Sequence, residues 1–591
     1  AAQKQRENSQ TLKIIIAKTS GFCMGVRRAV EMVLDAPAQS TKPIYTYGPL
    51  IHNPQVLNLL KSKDIRVLDE IPNRGCGTVL IRAHGVPPTA KQHLKEAEFN
   101  VIDATCPRVI KVQTIIRKHA KKDYAVIIIG DKDHPEVIGL LGYARNNGHV
   151  VGDMEELAAL PAFDNAIIVS QTTQNARFLE SVIDWAAENH PHYKIFNTIC
   201  DSTERRQAEV QRLAEAVDAV IVVGGHNSGN TRRLAEIARQ TGKPTYHIES
   251  ESELASMDTN FLTSARHIGI TAGASTPNWI IKKVYRALET LQVKRTQNWR
   301  RILFGLQQVL LLTNIYVSLG AGCLTYAMAK LQGFSQFFPY VLISMLYVQS
   351  MHILNHLTGN KSDQYNDPER AKFYQKYKLL LIVLALASGG TGLLIAYSRG
   401  LFPLLLLLTM SLLGLSYNLR FVPKRFVGIR YRRIRDIPGS KTLLIAMAWG
   451  IVTALLTPLS LAEKPQWITG LIFLWAAGLV FARTLFFDIL DMQGDRIVGK
   501  DTLAILLGER RSMQILKRML IALTIALIGL SAFHVVSYLG FVLISCPIFF
   551  LLLLSAYERG VLLPSIKLEF LVETNFILAG FAAALWSVFD V

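Results

Sequence analysis

Apolar and polar positions follow two different rhythms along this chain. Up to about residue 290, apolar runs of four to six residues alternate with charged segments of helical period, as in "YAVIIIG" from 124, "NAIIVSQTT" from 165 and "DAVIVVGG" from 218. Short β-branched runs of this kind, each ending in a polar or glycine loop before a helix, predict parallel strands in an α/β domain. After residue 297 the apolar stretches lengthen to about 20 residues, enough to cross a bilayer. Nine of these are predicted as membrane helices, at 302–329, 337–354, 379–397, 401–418, 442–461, 467–487, 519–536, 538–556 and 571–589. The expected fold class is therefore multidomain. A disordered tail covers 1–11, an α/β unit 12–290, a basic linker 291–301 and an all-α membrane bundle 302–591.

Length and charge refine that picture. A chain of 591 residues exceeds what one core supports. Its 64 Lys and Arg against 45 Asp and Glu give a formal charge of +19. Much of the excess falls in alternate loops of the membrane half, including Arg420, Lys424, Arg425, Arg430, Arg432, Arg433 and Arg435. The opposite loops carry little beyond Lys330, Arg399 and Lys464. By the positive-inside rule, this asymmetry predicts a multi-pass protein of the inner membrane, with the first unit in the cytoplasm and the carboxyl terminus outside. The basic excess then reflects topology, and no nucleic-acid partner is expected. The six cysteines are far apart, unlike a disulfide framework, and the polar start "AAQKQRENSQ" does not resemble a signal peptide.

Three of those cysteines share a local context. Cys23 in "GFCMGVRRAV", Cys106 in "DATCPRV" and Cys200 in "NTICDSTERRQ" each follow a short apolar run and precede a helical one. Separations of 83 and 94 residues are unlike the local pairs of a zinc finger. They suit a central site fed by three loops, such as an iron–sulfur cluster with one iron left free of protein. Spacing alone also allows three unrelated buried thiols. Other strand-ending loops supply His52, His84, His134 and Glu136, Thr172, Ser228 with Gly229 and Asn230, and Ser275. Imidazoles, hydroxyls and glycine-exposed amides converging on one centre make a cradle for a diphosphate.

Seven motifs, "GFCMGVRRAV", "AHGVPP", "DATCPRV", "HPEVIG", "QTT", "NSGNT" and "TAGAS", resemble those of 4-hydroxy-3-methylbut-2-enyl diphosphate reductases, in the family's order. The resemblance implies a three-lobed α/β cloverleaf around a [4Fe–4S] cluster held by Cys23, Cys106 and Cys200. It implies a diphosphate bound by His52, His84, Ser228, Gly229, Asn230 and Ser275. His134 and Thr172 would sit at the substrate hydroxyl, with Glu136 delivering protons. An external one-electron donor such as ferredoxin or flavodoxin is also implied. Gly229 departs from the second serine that the family often has there.

The membrane half carries acidic stretches at the ends of its spans. In "FFDILDMQGDR", Asp488, Asp491 and Asp495 lie three and four residues apart on one helix face. Like charges so placed call for a cation, and Mg²⁺ carrying a diphosphate fits carboxylates. A solvated acidic helix end is the plainer alternative. "LNHLTGNKSDQYNDPERAKF" offers Asn355, Asp363 and Asp367. Nine helices with paired acidic motifs resemble the UbiA-type intramembrane prenyltransferases. "LSYNLRFVPKR" resembles that family's basic loop, so Tyr417, Arg420, Lys424 and Arg425 are expected to meet diphosphate or acceptor. Gly359 replaces the first aspartate of the family's first motif. The expected function is thus bifunctional, a reductase joined to a Mg²⁺-dependent prenyltransferase, with a non-catalytic prenyl-lipid-binding tether as the alternative. A transporter would place ionisable groups deep in the spans, whereas these acids lie at span ends.

Overall fold

The computed structural model describes residues 13–255, 265–295, 298–358, 363–417, 437, 439–461, 466–498 and 502–589. The chain divides into two compact units, Ala1–Thr296 and Gln297–Val591.

In the first unit the β-branched runs form twelve short strands in three four-stranded sheets. The sheet ordered β3-β2-β4-β5 contains β2 (Ile44–Tyr47), β3 (Ile65–Leu68), β4 (Thr78–Ile81) and β5 (Asn100–Asp103). The sheet ordered β7-β6-β8-β9 contains β6 (Ala125–Ile129), β7 (Gly148–Val151), β8 (Ala166–Ser170) and β9 (Lys194–Ile195). The sheet ordered β1-β12-β10-β11 joins β1 (Lys13–Ile16) to β10 (Ala219–Val223), β11 (Thr245–Ile248) and β12 (His267–Ala272). All strand pairs are parallel. One plan repeats three times. The second strand of each set takes one edge, the first and third the middle, and the fourth the other edge. In the last set β1 takes the fourth place, so the start of the chain completes a sheet that begins at Ala219.

Alternation along a strand assigns its two faces. Val126 and Ile128 pack with Val109, Val112 and Ile116 of one helix, while Ile127 and Ile129 pack with Ile168 and Val182 on the other side. All five residues of β6, β8 and β10 are buried, so helices cover both faces, as a parallel sheet requires. Each fully buried Val or Ile contributes roughly 1.5–3 kcal/mol. The segment expected as a linker is largely helical: helix Asn278–Arg295 runs through 291–295, and helix Asn298–Leu312 takes up 298–301. The expected tail at 1–11 lies outside the described residues.

In the second unit, six described helices are long and apolar enough to span a bilayer: Lys378–Arg399, Ser440–Leu461, Trp467–Arg496, Glu509–Ala532, Leu539–Glu558 and Ile566–Val588. The pair Arg301–Leu312 and Ile315–Leu331, bent by 73°, makes a seventh if counted as one span. Of the nine expected spans, six or seven meet this length and hydropathy test among the described residues. The first expected span breaks at Asn314, whose φ of 60° leaves the helical region and whose Nδ2 donates to the Tyr374 hydroxyl at 2.7 Å. Leu401–Ser416 has only 16 residues. Phe338–Thr358 interrupts its apolar sequence with Ser344, Gln349 and Ser350, all buried.

Small residues let these helices approach. A Cβ added to Gly580 would lie 2.9 Å from the backbone Cα of Cys323, and one on Gly320 would lie 3.1 Å from Phe576 Cβ. Helices Ile315–Leu331 and Ile566–Phe589 therefore meet nearly backbone to backbone, as small residues allow in membranes. Gly580→Val should destabilise the detergent-solubilised chain by about 1–3 kcal/mol. Thermal unfolding against a Gly305→Val control, where a Cβ meets nothing within 4 Å, measures it. Equal midpoints in the two variants would remove this role for Gly580.

Candidate functional site

Each candidate side chain of the first unit follows the carboxyl end of a parallel strand, where such sheets place their ligands. The three sheets contribute in the same way. The edge strands β1, β5 and β9 lead to Cys23, Cys106 and Cys200. Their inner neighbours β12, β4 and β8 lead to Ser275, His84 and Thr172, and the next strands β10, β2 and β6 to Ser228, His52 and His134.

All three cysteines occupy the N-cap of a helix, at Met24–Gln39, Pro107–Ala120 and Asp201–Ala216. Amides at a helix start face the sulfur and favour a thiolate. The Val26 N–H donates to Cys23 Sγ at 3.4 Å. Burial pushes the Cys106 thiol up, the amides of Arg108 and Val109 pull it down, and Cys23 and Cys200 are close enough to raise it further. A Cβ on Gly25 would lie 2.4 Å from Cys106 Sγ, so that glycine makes room for the second thiol. Among the described residues the thiols are not a set whose ligand atoms all lie within 4.8 Å of one another. A single zinc with bonds of about 2.3 Å could not touch all three, whereas a multi-iron cluster is wider. The donor set fits such a cluster.

Arg206, to which sequence reasoning gave no role, is buried beside these thiols. Its Nη2 donates to the Gly21 carbonyl at 2.7 Å and its Nη1 to the Ala272 carbonyl at 3.1 Å, and it interacts electrostatically with Cys23 and Cys200. The only sequence cue was its place in "STERRQ", where an exposed and a buried arginine stand side by side.

The histidines form a second cluster. Ring centroids lie 4.8 Å apart for His52 and His84, 5.7 Å for His52 and His134, and 5.4 Å for His84 and His134. Burial lowers the pKa of His52 and takes that of His84 well below its ordinary value. Burial and then His52 bring His134 down to about 4. All three rings are neutral near pH 7. His134 Nδ1 accepts from the Glu136 N–H at 3.1 Å, which leaves the proton on Nε2 and aims a donor away from the helix start. Among the described residues, buried His52 Nε2, His84 Nδ1 and Asn230 Nδ2 have no hydrogen-bond partner, as expected of groups kept for a ligand. Ser275 Oγ donates to the His52 carbonyl at 3.2 Å, and Ser228 caps the helix Gly229–Gln240 by accepting from the Thr231 N–H.

Glu136 is 2% exposed. Burial raises its pKa to about 7, while the N–H and hydroxyl of Thr172 donate to Oε1 at 2.6 Å and Oε2 at 2.9 Å and oppose the rise. Asp131 and Arg233, which the sequence did not single out, pair beside it. Gly229 opens towards this pair and His134.

In the second unit, helix Trp467–Val498 carries Asp488, Asp491 and Asp495 past the expected span end. Thr442 Oγ1 donates to Asp488 Oδ2 at 2.5 Å, and Lys441 Nζ lies 3.4 Å from Asp488 Oδ1. Lys441 also interacts electrostatically with Asp495, Asp491 and Asp363, so the two acidic stretches face a common lysine. Asn366 Nδ2 joins them directly, donating to Asp495 Oδ1 at 3.1 Å. Gly494 permits that contact, since a Cβ there would lie 1.8 Å from Asn366 Oδ1. Neither Lys441 nor Asn366 was anticipated, although a cation just inside an apolar span is a usable signal.

Asp367 caps helix Pro368–Lys376 and pairs with Arg370 Nε at 3.5 Å. Asn355 is exposed on helix Phe338–Thr358. The Tyr417 hydroxyl lies 3.5 Å from Ser440 Oγ. Gly359, Arg420, Lys424 and Arg425 fall outside the described residues.

Together these features define an α/β unit of three parallel sheets with cysteines at three helix N-caps, followed by a helical membrane unit with facing acidic stretches. Comparison with known proteins agrees. The LytB protein family matches residues 14–289 and the UbiA prenyltransferase family residues 315–563. The chain is 41% identical over 284 residues to the 4-hydroxy-3-methylbut-2-enyl diphosphate reductase of Geobacter sulfurreducens, covering 48% of this chain and 99% of that one. For the Aquifex aeolicus reductase the identity is 41% over 286 residues, covering 47% and 96%. A solved UbiA homolog from Aeropyrum pernix K1 is similar to the chain with a TM-score of 0.37 at 14% identity, over 46% of this chain and 97% of that one. The chain belongs to the LytB family in its first half and carries a UbiA prenyltransferase family domain in its second.

The buried carboxyl yields a direct expectation. Followed by infrared spectroscopy, the Glu136 carboxyl should titrate near pH 7 and higher still in Thr172→Val, which loses a donor to the carboxylate. A titration near pH 4.5 in the wild type would show the site to be wet.

Proposed function

We propose that the first unit reduces 4-hydroxy-3-methylbut-2-enyl diphosphate to isopentenyl and dimethylallyl diphosphate, and that the second transfers a prenyl group from a diphosphate in a Mg²⁺-dependent reaction. The observation that carries the first assignment is the placement of helix-capping thiols at equivalent strand ends of three sheets, with neutral histidines and a carboxyl poised near 7 on the neighbouring strand ends. A [4Fe–4S] cluster held by Cys23, Cys106 and Cys200 supplies electrons and a Lewis-acidic corner when bound.

The chain's own groups do the rest. His52, His84, Ser228, Asn230 and Ser275, with the Gly229 amide, hold the diphosphate through hydrogen bonds from neutral donors. Thr172 and His134 Nε2–H orient the terminal hydroxyl. Protonated Glu136 gives that oxygen its proton so that it leaves as water. Two electrons from an external one-electron donor and a second proton, taken up at carbon, complete the balance. Burial keeps bulk water from competing for the protonated carboxyl.

In the second unit, Asp363, Asp488, Asp491 and Asp495 are the groups proposed to hold Mg²⁺ with the substrate diphosphate, Lys441 facing the same anion. The basic residues of alternate loops favour an inner-membrane protein with the first unit on the cytoplasmic side.

Anaerobically purified chain with reduced viologen as donor tests the first half. Glu136→Gln should bind substrate with unchanged affinity and lose roughly 10²–10⁴-fold in turnover. Near-normal turnover would refute the proton-donor role. For the second half, diphosphate release from a polyprenyl diphosphate with aromatic acceptors should stop with EDTA, return with Mg²⁺ and be absent in Asp488→Ala. Indifference to both would leave the membrane unit a tether.

A further inference from the structure

Arg233, on helix Gly229–Gln240, directs Nη2 to both carboxylate oxygens of Asp131, at 2.8 and 2.9 Å. Asp131 lies in the loop after β6, which also carries His134 and Glu136. Arg233 lies in the turn after Ser228 and Asn230, so the pair ties one lobe to another across 102 residues of sequence. A third contact anchors the acidic partner, whose N–H donates to Gln171 Oε1 of the β8 loop at 3.1 Å. The guanidinium side chain is 11% exposed and the carboxylate 42%, so solvent screens the pair from the Asp131 side only. Arg233 Nη1 is buried with no hydrogen-bond partner among the described residues. A Cβ on Gly229 would lie 3.4 Å from that atom, 3.5 Å from Asp131 Oδ2 and 3.8 Å from the His134 ring. The glycine thus leaves the room in which the pair closes against His134.

We infer that Arg233 and Asp131 form an interlobe clasp, with Arg233 a positioning residue that holds the loop of His134 and Glu136 in register with the loop of Ser228 and Asn230. Its consequence for catalysis rests on the reductase reading. The clasp sets the span between the groups that grip the diphosphate and those that meet the hydroxyl at the far end of the substrate. Loosening it from either side weakens substrate binding. Its two members act on Glu136 with opposite sign. The Arg233 charge lowers the pKa of that carboxyl and the Asp131 charge raises it, against the larger effect of burial and the two bonds from Thr172. Protonated Glu136 is the active form, so activity falls as pH rises through its pKa.

The test uses the full chain with Arg233→Gln, Asp131→Asn and the exchanged pair Asp131→Arg/Arg233→Asp. Both single variants should raise KM about tenfold. The alkaline limb of kcat should move up in Arg233→Gln and down in Asp131→Asn, by about half a pH unit each. The exchanged pair should recover part of the lost KM, as a direct interaction requires. A merely structural role would move both limbs the same way or not at all, and with no recovery on exchange would overturn the clasp. Amide hydrogen exchange over residues 130–136 and 226–232 supplies a readout free of turnover. It should accelerate in both single variants and not over β3. Unchanged exchange sinks the clasp even if the wild type proves not to be a reductase. A wild type without turnover, but with the expected exchange, sinks only the reductase reading.

Discussion

The centre of the first unit depends on the pairing of β1 with β12. Four register pairs, from Lys13 with His267 to Ile16 with Ile270, join the start of the chain to a strand some 250 residues later. That ladder sets Cys23 beside the Ser275 loop, and the Cys23 N–H donates to the Ala274 carbonyl at 3.1 Å. Arg206 closes the same seam from inside by holding the carbonyls of Gly21 and Ala272. Without it the third sheet would lack the strand that carries a thiol, and a cluster would have two protein ligands instead of three. The closure entropy of so long a loop grows only as the logarithm of its length, so a few ladder bonds and one buried arginine can hold it.

A dry centre explains why the electrostatics look reversed. Three imidazoles and several arginines stand close together, yet the imidazoles are neutral, because burial opposes their charging and each neighbouring cation adds to that. The same burial keeps Glu136 protonated up to about pH 7. In the unfolded chain this carboxyl ionises at its ordinary value, so folding stability falls as pH rises from there towards 7. The site thus gives up stability for a proton held in a buried carboxyl, a local conflict of the kind concentrated at functional centres.

Much of this arrangement was legible in the sequence, because the carboxyl end of a parallel strand is a position that pattern reveals. Cys23, Cys106, Cys200, His52, His84 and His134 were found that way, each after an apolar run. Arg206, Asp131 and Arg233 were not, since these partners are 66 or more residues away in sequence and nothing local separates them from solvated charges. The membrane half repeats the lesson. Helical spacing placed Asp488, Asp491 and Asp495 on one face, but hydropathy could not show a helix broken at Asn314, because a left-handed residue stabilised by Tyr374 leaves no mark in an apolar average. Asp367 was expected among the metal-facing acids. Its position just before Pro368 is also an N-cap position, and local capping with the Arg370 pair engages it.

The acidic face of helix Trp467–Val498 is disfavoured on three counts. Its carboxylates repel one another, they sit towards the negative end of the helix dipole, and Asp488 and Asp495 are almost fully buried. Thr442 and Asn366 offset part of this with neutral hydrogen bonds, and Lys441 with a full charge. The same ammonium faces Asp363, Asp491 and Asp495 as well as Asp488. The arrangement is consistent with a purpose other than stability, since apolar residues of the same size would pack there without penalty. In the proposed reaction a divalent cation would offset these carboxylates, and a diphosphate arriving with it would meet Lys441, which faces the same acids.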